Sequence, residues 1–195
     1  MRLWTIQTDD AYHRLIADGQ LVADPTRCDP DFVGPYKWML NQMRRRIKGG
    51  TPSSKAALWA WSKWEPPTRD RPDLRARGHL PPGQSGYRIE LDVHADDVLL
   101  SDYCLWHHVL NYWYVPSCKR DQEIFESEHD QYRYGWERLP PPKMRVIITA
   151  SWERIFNLDC CDEYVTGHPS NRPIQATMWR IHRSMICGAQ HFNGR

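Results

Sequence analysis

The sequence predicts an α+β fold, a single domain over residues 1–195 with a bent or split sheet of mixed or antiparallel strands, flanked by short helices. Three observations support this prediction. Residues 87–93 alternate apolar and polar side chains, which is typical of an antiparallel strand with one exposed face. Other short segments are apolar throughout and are interleaved with amphipathic helices. No glycine-rich turn follows the first predicted strand, which argues against a regular series of βαβ units.

Residues 1–64 are predicted to form two strands and two helices. Residues 2–7 make the first strand, and Thr8 caps a short helix that stops at Gly19. Residues 56–64 make the second strand. A longer helix over residues 35–48 lies between them, and its apolar stripe has helical spacing: Tyr36, Met39, Leu40, Met43 and Ile47.

The rest of the chain alternates regular segments with two long loops. Residues 65–86 contain five Pro and four Arg and are predicted to be a loop, as are residues 115–143. A helix capped by Ser101 separates these loops from each other. The apolar run 144–150 predicts a central strand, followed by a helical turn over 151–158. Residues 172–181 predict the last strand, with four side chains on one face: Gln175, Thr177, Trp179 and Ile181.

Composition excludes several classes of protein. The net charge is only +2, and no apolar run approaches the ~20 residues of a membrane helix. The N-terminus lacks a signal-peptide core, and the six Cys are irregularly spaced, so we expect a reduced, cytoplasmic protein without membrane contact. Paired Cys or His ligands at zinc-finger spacing are missing, so we expect no metal site. Neither a phosphate-binding P-loop nor a serine-hydrolase elbow is present.

The ten tryptophans are the most unusual feature of the composition. Several lie on predicted strands beside short polar residues, an arrangement that can stack on a planar heterocycle and hydrogen-bond to its edge. The alternative is that these rings only pack in the core. The candidate cofactor-binding residues are Trp4, Thr5, Gln7, Trp59, Trp61 and Ser62.

Arginine-rich segments provide candidate nucleic-acid contacts on the long helix and in the first loop. The alternative is that these arginines form a solvated face without a partner. The candidates are Arg44, Arg45, Arg46, Arg75 and Arg77.

Five segments together resemble a family of uncharacterised bacterial domains: "MRLWTIQT", "YKWMLNQM", "LLSDYCLWHHVLN", "SWERIFNLD" and "IQATMWRI". More distantly, the order of elements is similar to the ADP-ribosyltransferase fold. That resemblance implies NAD as cosubstrate, with Thr5 and Gln7 at the entrance and Trp61 and Ser62 against nicotinamide. Gln175 would stand where the family has its glutamate.

A neutral Gln175 cannot offset the positive charge of the transition state, so the resemblance needs a carboxylate from elsewhere. Glu153 is the chosen candidate, with Glu90 and Asp92 as alternatives. The function expected from the resemblance is ADP-ribosylation of a macromolecule, either nucleic acid such as RNA or protein, by a bacterial toxin or phage-defence effector with an antitoxin partner. The alternative is a non-catalytic binding module whose Trp-lined groove holds a nucleotide, nucleic acid or peptide.

Overall fold

The computed structural model describes residues 1–50, 54–160 and 162–195 and shows an α+β protein. The chain divides into two compact units. Unit 1 consists of Met1–Leu100 together with Gln175–Arg195, and unit 2 consists of Ser101–Ile174. The chain therefore leaves unit 1 once and returns to it once.

The larger of two sheets has six strands: β1 (Arg2–Thr8), β3 (Leu58–Lys63), β4 (Ser85–Asp92), β5 (Leu99–Asp102), β6 (Ile174–Met178) and β8 (Ile186–Asn193). Their order across the sheet is β5-β6-β3-β1-β4-β8. Strand β1 is antiparallel to both β3 and β4, and β4 is antiparallel to β8. A second sheet pairs two short strands, β2 (Gln20–Val22) and β7 (Arg180–His182).

The core of unit 1 lies on one face of this sheet, since successive residues of a strand point to opposite faces. Leu3 of β1 and the neighbouring Ile89 and Leu91 of β4 are fully buried there. Ala176 and Met178 of β6 belong to the same cluster. The alternation predicted for residues 87–93 and the first strand are confirmed.

Two helices of unit 1 begin and end much as their sequences predict. Helix α1 (Asp9–Asp18) starts at Thr8, whose side chain accepts a hydrogen bond from the backbone N–H of Ala11. It stops at Gly19, which has a φ of 75°, a conformation that glycine adopts at little cost. Helix α2 (Val33–Arg46) buries Met39, Leu40 and Met43.

Unit 2 is built mostly from helices around a buried aromatic centre. Trp152 is fully buried, contacts the ring of Tyr112 at 5.0 Å between centroids, and donates from Nε1 to the carbonyl of Trp113 at 2.7 Å. Tyr114 stacks on Phe125 with 4.2 Å between centroids. The α-helices are α3 (Tyr103–Leu110), α4 (Lys119–Glu128), α5 (Pro142–Ser151) and α6 (Glu163–Thr166).

The predicted strand at residues 144–150 is wrong, because this segment lies inside α5. Met144, Ile148 and Ser151 are buried at helical spacing, whereas Val146 is exposed. A short apolar run has the same composition in a buried strand and in a packed helix, and here tertiary packing selects the helix. The 3-10 turn Trp152–Phe156 follows directly, in place of the predicted helical turn over 151–158.

The predicted loop at 115–143 is wrong in its central part, which forms α4. Phe125 is the buried residue of this helix, so the sequence carries almost no helical periodicity. The predicted cap at Ser101 is also wrong. Asp102 caps α3 instead, accepting from the backbone N–H of Leu105 at 3.0 Å.

The predicted last strand over 172–181 is divided between two sheets. Strand β6 ends at Met178, and the chain bends at Trp179 before β7 begins in the smaller sheet. Ile181 consequently joins the same core as Ala176 and Met178, and the single face predicted for Gln175 through Ile181 is wrong. Strand β8, at the end of the larger sheet, was not predicted from the sequence.

Candidate functional site

A cavity of about 310 Å³ in unit 1 is the candidate site. It lies among the start of β3, the end of β1, helix α2 and the loop that follows β2. Met39, Leu40 and Leu58 supply much of its apolar wall. Its polar groups come from a few side chains: Gln7, Asp24, Arg27, Cys28, Asp29 and Tyr36.

A chain of hydrogen bonds holds the Gln7 carboxamide in place at the cavity. Gln7 Nε2 donates to Thr5 Oγ1 at 2.8 Å, and Thr5 Oγ1 donates to the carbonyl of Trp59 at 2.7 Å. Thr5 is fully buried, so this chain is shielded from solvent. The bond uses one of the two Nε2 hydrogens and leaves the other, together with the acceptor Oε1, to meet a ligand.

Two aromatic rings, Tyr36 of α2 and Trp59 of β3, meet at the cavity. Their centroids are 6.0 Å apart and their planes are inclined by 50°. Burial, reinforced by Cys28 and Asp29, raises the pKa of the Tyr36 phenol above its ordinary value. The phenol is therefore neutral at physiological pH and offers a ring face and a hydroxyl group rather than a base.

Two short 3-10 turns, Pro25–Arg27 and Pro30–Phe32, fix a pair of carboxylates at the cavity. Asp24 Oδ1 accepts from the N–H of Thr26 at 2.9 Å and from its hydroxyl at 2.7 Å, which lowers the pKa of Asp24. In the second turn, Asp29 Oδ1 accepts from the backbone N–H of Asp31 at 3.0 Å. Each carboxylate thus has one oxygen that accepts from a backbone N–H, and the second oxygen of Asp24 lies 3.8 Å from Arg27 Nε.

Cys28 lies between these carboxylates in the sequence and also lines the cavity. Burial and the charge of Asp24 both raise the pKa of its thiol. A protonated thiol is a poor nucleophile, so Cys28 contributes surface rather than reactivity. With Arg27 as the single cation, the lining carries more negative than positive charge, which favours a cationic or donor-rich ligand.

The six predicted cofactor-binding residues are distributed over both faces of the sheet. Gln7 and Trp59 line the cavity, and Thr5 supports Gln7 from beneath. Trp4 and Trp61 are direct partners in the β1–β3 ladder, on the face opposite Thr5. Ser62 follows the core residues Leu58 and Ala60 at strand spacing, so it lies on the core face of β3.

The two predicted catalytic residues lie in different units. Gln175 belongs to unit 1, in β6, and Ala176 beside it points into the core, so Gln175 points to the opposite face of the sheet. Its Oε1 is buried without a hydrogen-bond partner, and the residue is outside the cavity lining. Glu153 is an exposed residue of the 3-10 turn in unit 2.

The predicted nucleic-acid contacts fall into two groups within unit 1. Arg44, Arg45 and Arg46 are exposed in the last turn of α2. Arg44 also donates to the carbonyl of Ser54 at 2.8 Å and lies over the ring of Trp179. Arg75 and Arg77 are exposed in the loop before β4.

Sequence reasoning missed the carboxylates and the tyrosine of the cavity. Two Asp-Pro pairs, at residues 24–25 and 29–30, were a usable signal, because Asp before Pro favours a turn whose side chain caps the next backbone N–H groups. Tyr36 was assigned only to the apolar stripe of α2. Its position at the cavity depends on where the helix packs, which spacing alone does not specify.

Residues 1–50, 54–160 and 162–195 lack two further classes of site. This part of the chain contains no group of three His, Cys, Asp or Glu residues that could hold a metal ion. Over the same ranges, no helix is both long and apolar enough to cross a membrane.

Residues 2–187 match the model of a family described as a domain of unknown function, DUF3841. The chain belongs to the DUF3841 family. No curated protein and no solved structure matched this DUF3841 chain. The case for its function therefore comes from the chemistry of the cavity.

Proposed function

We propose that this DUF3841 protein binds NAD through its nicotinamide–ribose half in the 310 Å³ cavity and transfers ADP-ribose to a macromolecular acceptor. The supporting observation is the convergence of three kinds of group on one cavity. These are an oriented carboxamide, Gln7, an aromatic pair, Tyr36 with Trp59, and two carboxylates fixed by backbone turns.

Each group suits a part of this ligand. The nicotinamide ring of NAD is planar and cationic, so it is attracted to aromatic faces and to carboxylates. Its carboxamide is complementary to the amide of Gln7, and the ribose hydroxyls can donate to Asp24 or Asp29. Ligand cavities run from about 300 to 1,000 Å³, so this one accommodates a ring with its sugar and leaves the adenosine half outside.

The chemistry asked of the site is cleavage of the bond between nicotinamide nitrogen and ribose C1′. Nicotinamide leaves with the electron pair, and positive charge develops on the sugar. A carboxylate already held in place stabilises that charge without reorganising. In this proposal Asp24 and Asp29 supply it, and a hydroxyl, amine or ring nitrogen of the acceptor then attacks C1′ and releases its proton. Gln175 and Glu153 remain sequence predictions outside this cavity.

The test is release of labelled nicotinamide by the full chain, alone and with RNA, DNA or protein acceptors. Asp29→Asn keeps the cap oxygen of its turn but removes the charge, so the fold is retained. We expect turnover to fall by about 10²-fold, the effect of losing one electrostatic group. Asp31→Asn changes an exposed carboxylate in the same turn that does not line the cavity, and it should leave turnover unchanged.

A second candidate function is NAD or nucleotide binding without turnover. It is favoured by the raised pKa values of Cys28 and Tyr36, which keep the thiol and the phenol protonated, so neither is an activated nucleophile or base. Quenching of tryptophan fluorescence by NAD, lost in Trp59→Leu, together with no nicotinamide release would support this candidate. Absence of both binding and release would refute the two functions together.

Action as a toxin or phage-defence effector is part of the proposal for the enzyme. Cellular RNA, DNA and protein from cells expressing the wild-type chain should then gain the mass of one ADP-ribose unit. Cells expressing Asp29→Asn serve as the matched control. An unchanged mass spectrum for all three classes of acceptor would argue against this role.

A further inference from the structure

A second cavity of unit 1, of about 360 Å³, is dominated by arginine side chains. It lies where the loop between β3 and β4 covers the strands β4 and β8. Arg69, Arg71 and Arg75 come from the loop, and Arg88 comes from the middle of β4. Asp73 lines the same cavity, and Glu65 Oε2 lies 3.8 Å from Arg69 Nη1, so four guanidinium groups lie beside two carboxylates.

Asp73 holds two of these arginines in place. Arg75 donates from Nε to Asp73 Oδ1 at 3.1 Å and from Nη2 to Oδ2 at 2.9 Å, and Arg69 Nη1 forms an ion pair with the same Oδ2. The hydrogen bonds from Arg75 keep the pKa of the Asp73 carboxyl well below its ordinary value. Asp73 is thus ionised at physiological pH, and both guanidinium groups are oriented before any ligand arrives.

Arg88 fixes the loop to the sheet. Its Nη1 donates to the carbonyl of Pro72 at 2.6 Å, and its Nη2 donates to Gln190 Oε1 on β8 at 2.6 Å. Burial and the neighbouring charge of Arg71 lower the pKa of Arg88. The four guanidinium groups of the cavity still outnumber the carboxylates beside them, so a bound anion would reduce their mutual repulsion.

Aromatic rings accompany the arginines on the same face of the sheet. Arg88 is the ladder partner of Ile6, which shares a face with Trp4 and therefore with Trp61. The ring centroid of Trp61 lies 4.5 Å from that of Trp64, and the centroid of Trp64 lies 5.0 Å from that of His79. His79 Nε2 contacts the carbonyl of Asp73 at 2.8 Å, so the loop joins the rings to the arginine cavity.

We infer that this face is a binding surface for a single-stranded nucleic acid, with its phosphates in the cavity of Arg69, Arg71, Arg75 and Arg88. Arginine forks match phosphate oxygens, and aromatic rings stack on bases without regard to sequence. Gln7 of the NAD cavity pairs with Tyr87, one residue before Arg88, so the side chains of Gln7 and Arg88 point to opposite faces. The two cavities also share no lining residue. Nucleic-acid binding here does not depend on the proposed NAD chemistry.

The test is fluorescence anisotropy with a labelled 20-nucleotide single strand at several salt concentrations, in the absence of NAD. Arg71→Gln removes one exposed guanidinium from the cavity. We expect about tenfold weaker binding, because a hydrogen-bonded charge is lost. The slope of log affinity against log salt should fall by about 0.7, the value for one phosphate contact to a single strand.

Arg77→Gln is the matched control, since it removes an equal charge from an exposed position of the same loop that does not line the cavity. It should weaken binding less than twofold. Equal losses in the two variants would overturn the assignment to this cavity, as would absence of binding by the wild-type chain.

Inorganic pyrophosphate distinguishes a strand from a free phosphate compound. Competition only at concentrations far above those of the oligonucleotide supports the strand. Pyrophosphate that binds as tightly as the oligonucleotide would overturn it. Equal melting temperatures of both variants and the wild type ensure that the comparison concerns folded protein.

Discussion

The buried ion pair between Asp102 and Arg172 should contribute strongly to the stability of unit 2. The two side chains are 1% and 3% exposed, and Arg172 Nε donates to Asp102 Oδ2 at 2.9 Å. Arg172 Nη1 also donates to the carbonyls of Leu158 and Cys160, at 2.9 and 3.0 Å. The other carboxylate oxygen of Asp102 caps α3. One guanidinium thus connects the end of unit 2 with its beginning and with the loop after α5.

Replacing Arg172 with Met removes the cation while keeping much of the side-chain volume. The variant leaves a buried carboxylate without its counterion and removes the donor to two partly buried carbonyls, those of Leu158 and Cys160. Breaking a buried pair from one side costs about 3–5 kcal/mol. For a chain of this size each 1 kcal/mol shifts the melting temperature by about 2–4 °C, so we expect a decrease of roughly 6–20 °C.

The matched control is Arg133→Met, in the same unit. Arg133 Nε lies 2.6 Å from Asp130 Oδ2, but the two side chains are 74% and 53% exposed. An exposed pair contributes about 0–1 kcal/mol, so this variant should melt close to the wild type. The double variant Asp102→Asn with Arg172→Met should be more stable than the sum of the single changes predicts, because no buried charge remains.

Thermal melting and urea unfolding, both followed by circular dichroism, measure these differences. If Arg172→Met lowers the free energy of unfolding no more than Arg133→Met does, burial does not strengthen the pair, and the predicted contribution of Arg172 is refuted. If the two single changes add without coupling, Asp102 and Arg172 act separately, and the assigned contact is wrong.

Two further predictions concern packing and pH. Gly86→Ala should cost about 1–3 kcal/mol of folding free energy, because the new Cβ would overlap the backbone carbonyl of Gln7 and lie 2.6 Å from Leu80 Cδ1. Gly188→Ala, whose Cβ would meet its nearest neighbour at 3.9 Å, should be neutral, and equal melting temperatures would refute the close approach. Burial lowers the pKa of His108 in the folded state. As the pH falls through about 6.5, the unfolded chain therefore protonates this histidine while the folded chain keeps it neutral, which favours unfolding. Wild-type stability should therefore drop between pH 7.5 and 5.5, and this drop should shrink in His108→Asn but persist in His107→Asn; an unchanged drop in both variants would contradict it.

Local signals predicted unit 1 better than unit 2. Thr8 and Gly19 determine the ends of α1 through their own side chain and backbone, without help from distant residues. The alternation of β4 is similarly local, since it follows from one core face and one exposed face. In unit 2, residues 144–150 could form either a strand or a helix, and α4 has almost no apolar pattern.

At the candidate site, too, local sequence features were predicted and features that depend on tertiary packing were not. Sequence reasoning selected Gln7 and Trp59, which lie at the cavity, because polar and aromatic residues on strands are visible one segment at a time. It grouped them with Trp4 and Trp61, which lie outside the cavity lining. It also missed the contribution of Arg88, which depends on the loop folding back over β4.

Sequence patterns are sufficient to predict the α+β class, the first strand, the caps of α1 and the long loop before β4. These features depend on interactions between residues close together in the chain, so periodicity and turn chemistry are sufficient to predict them. Long-range packing, in contrast, brings Asp24, Asp29 and Tyr36 to the cavity of Gln7 and places Arg88 beside the loop arginines. The positions of these side chains depend on strand order and helix packing. Both result from many weak long-range contacts that form together, so no single segment of the sequence predicts them.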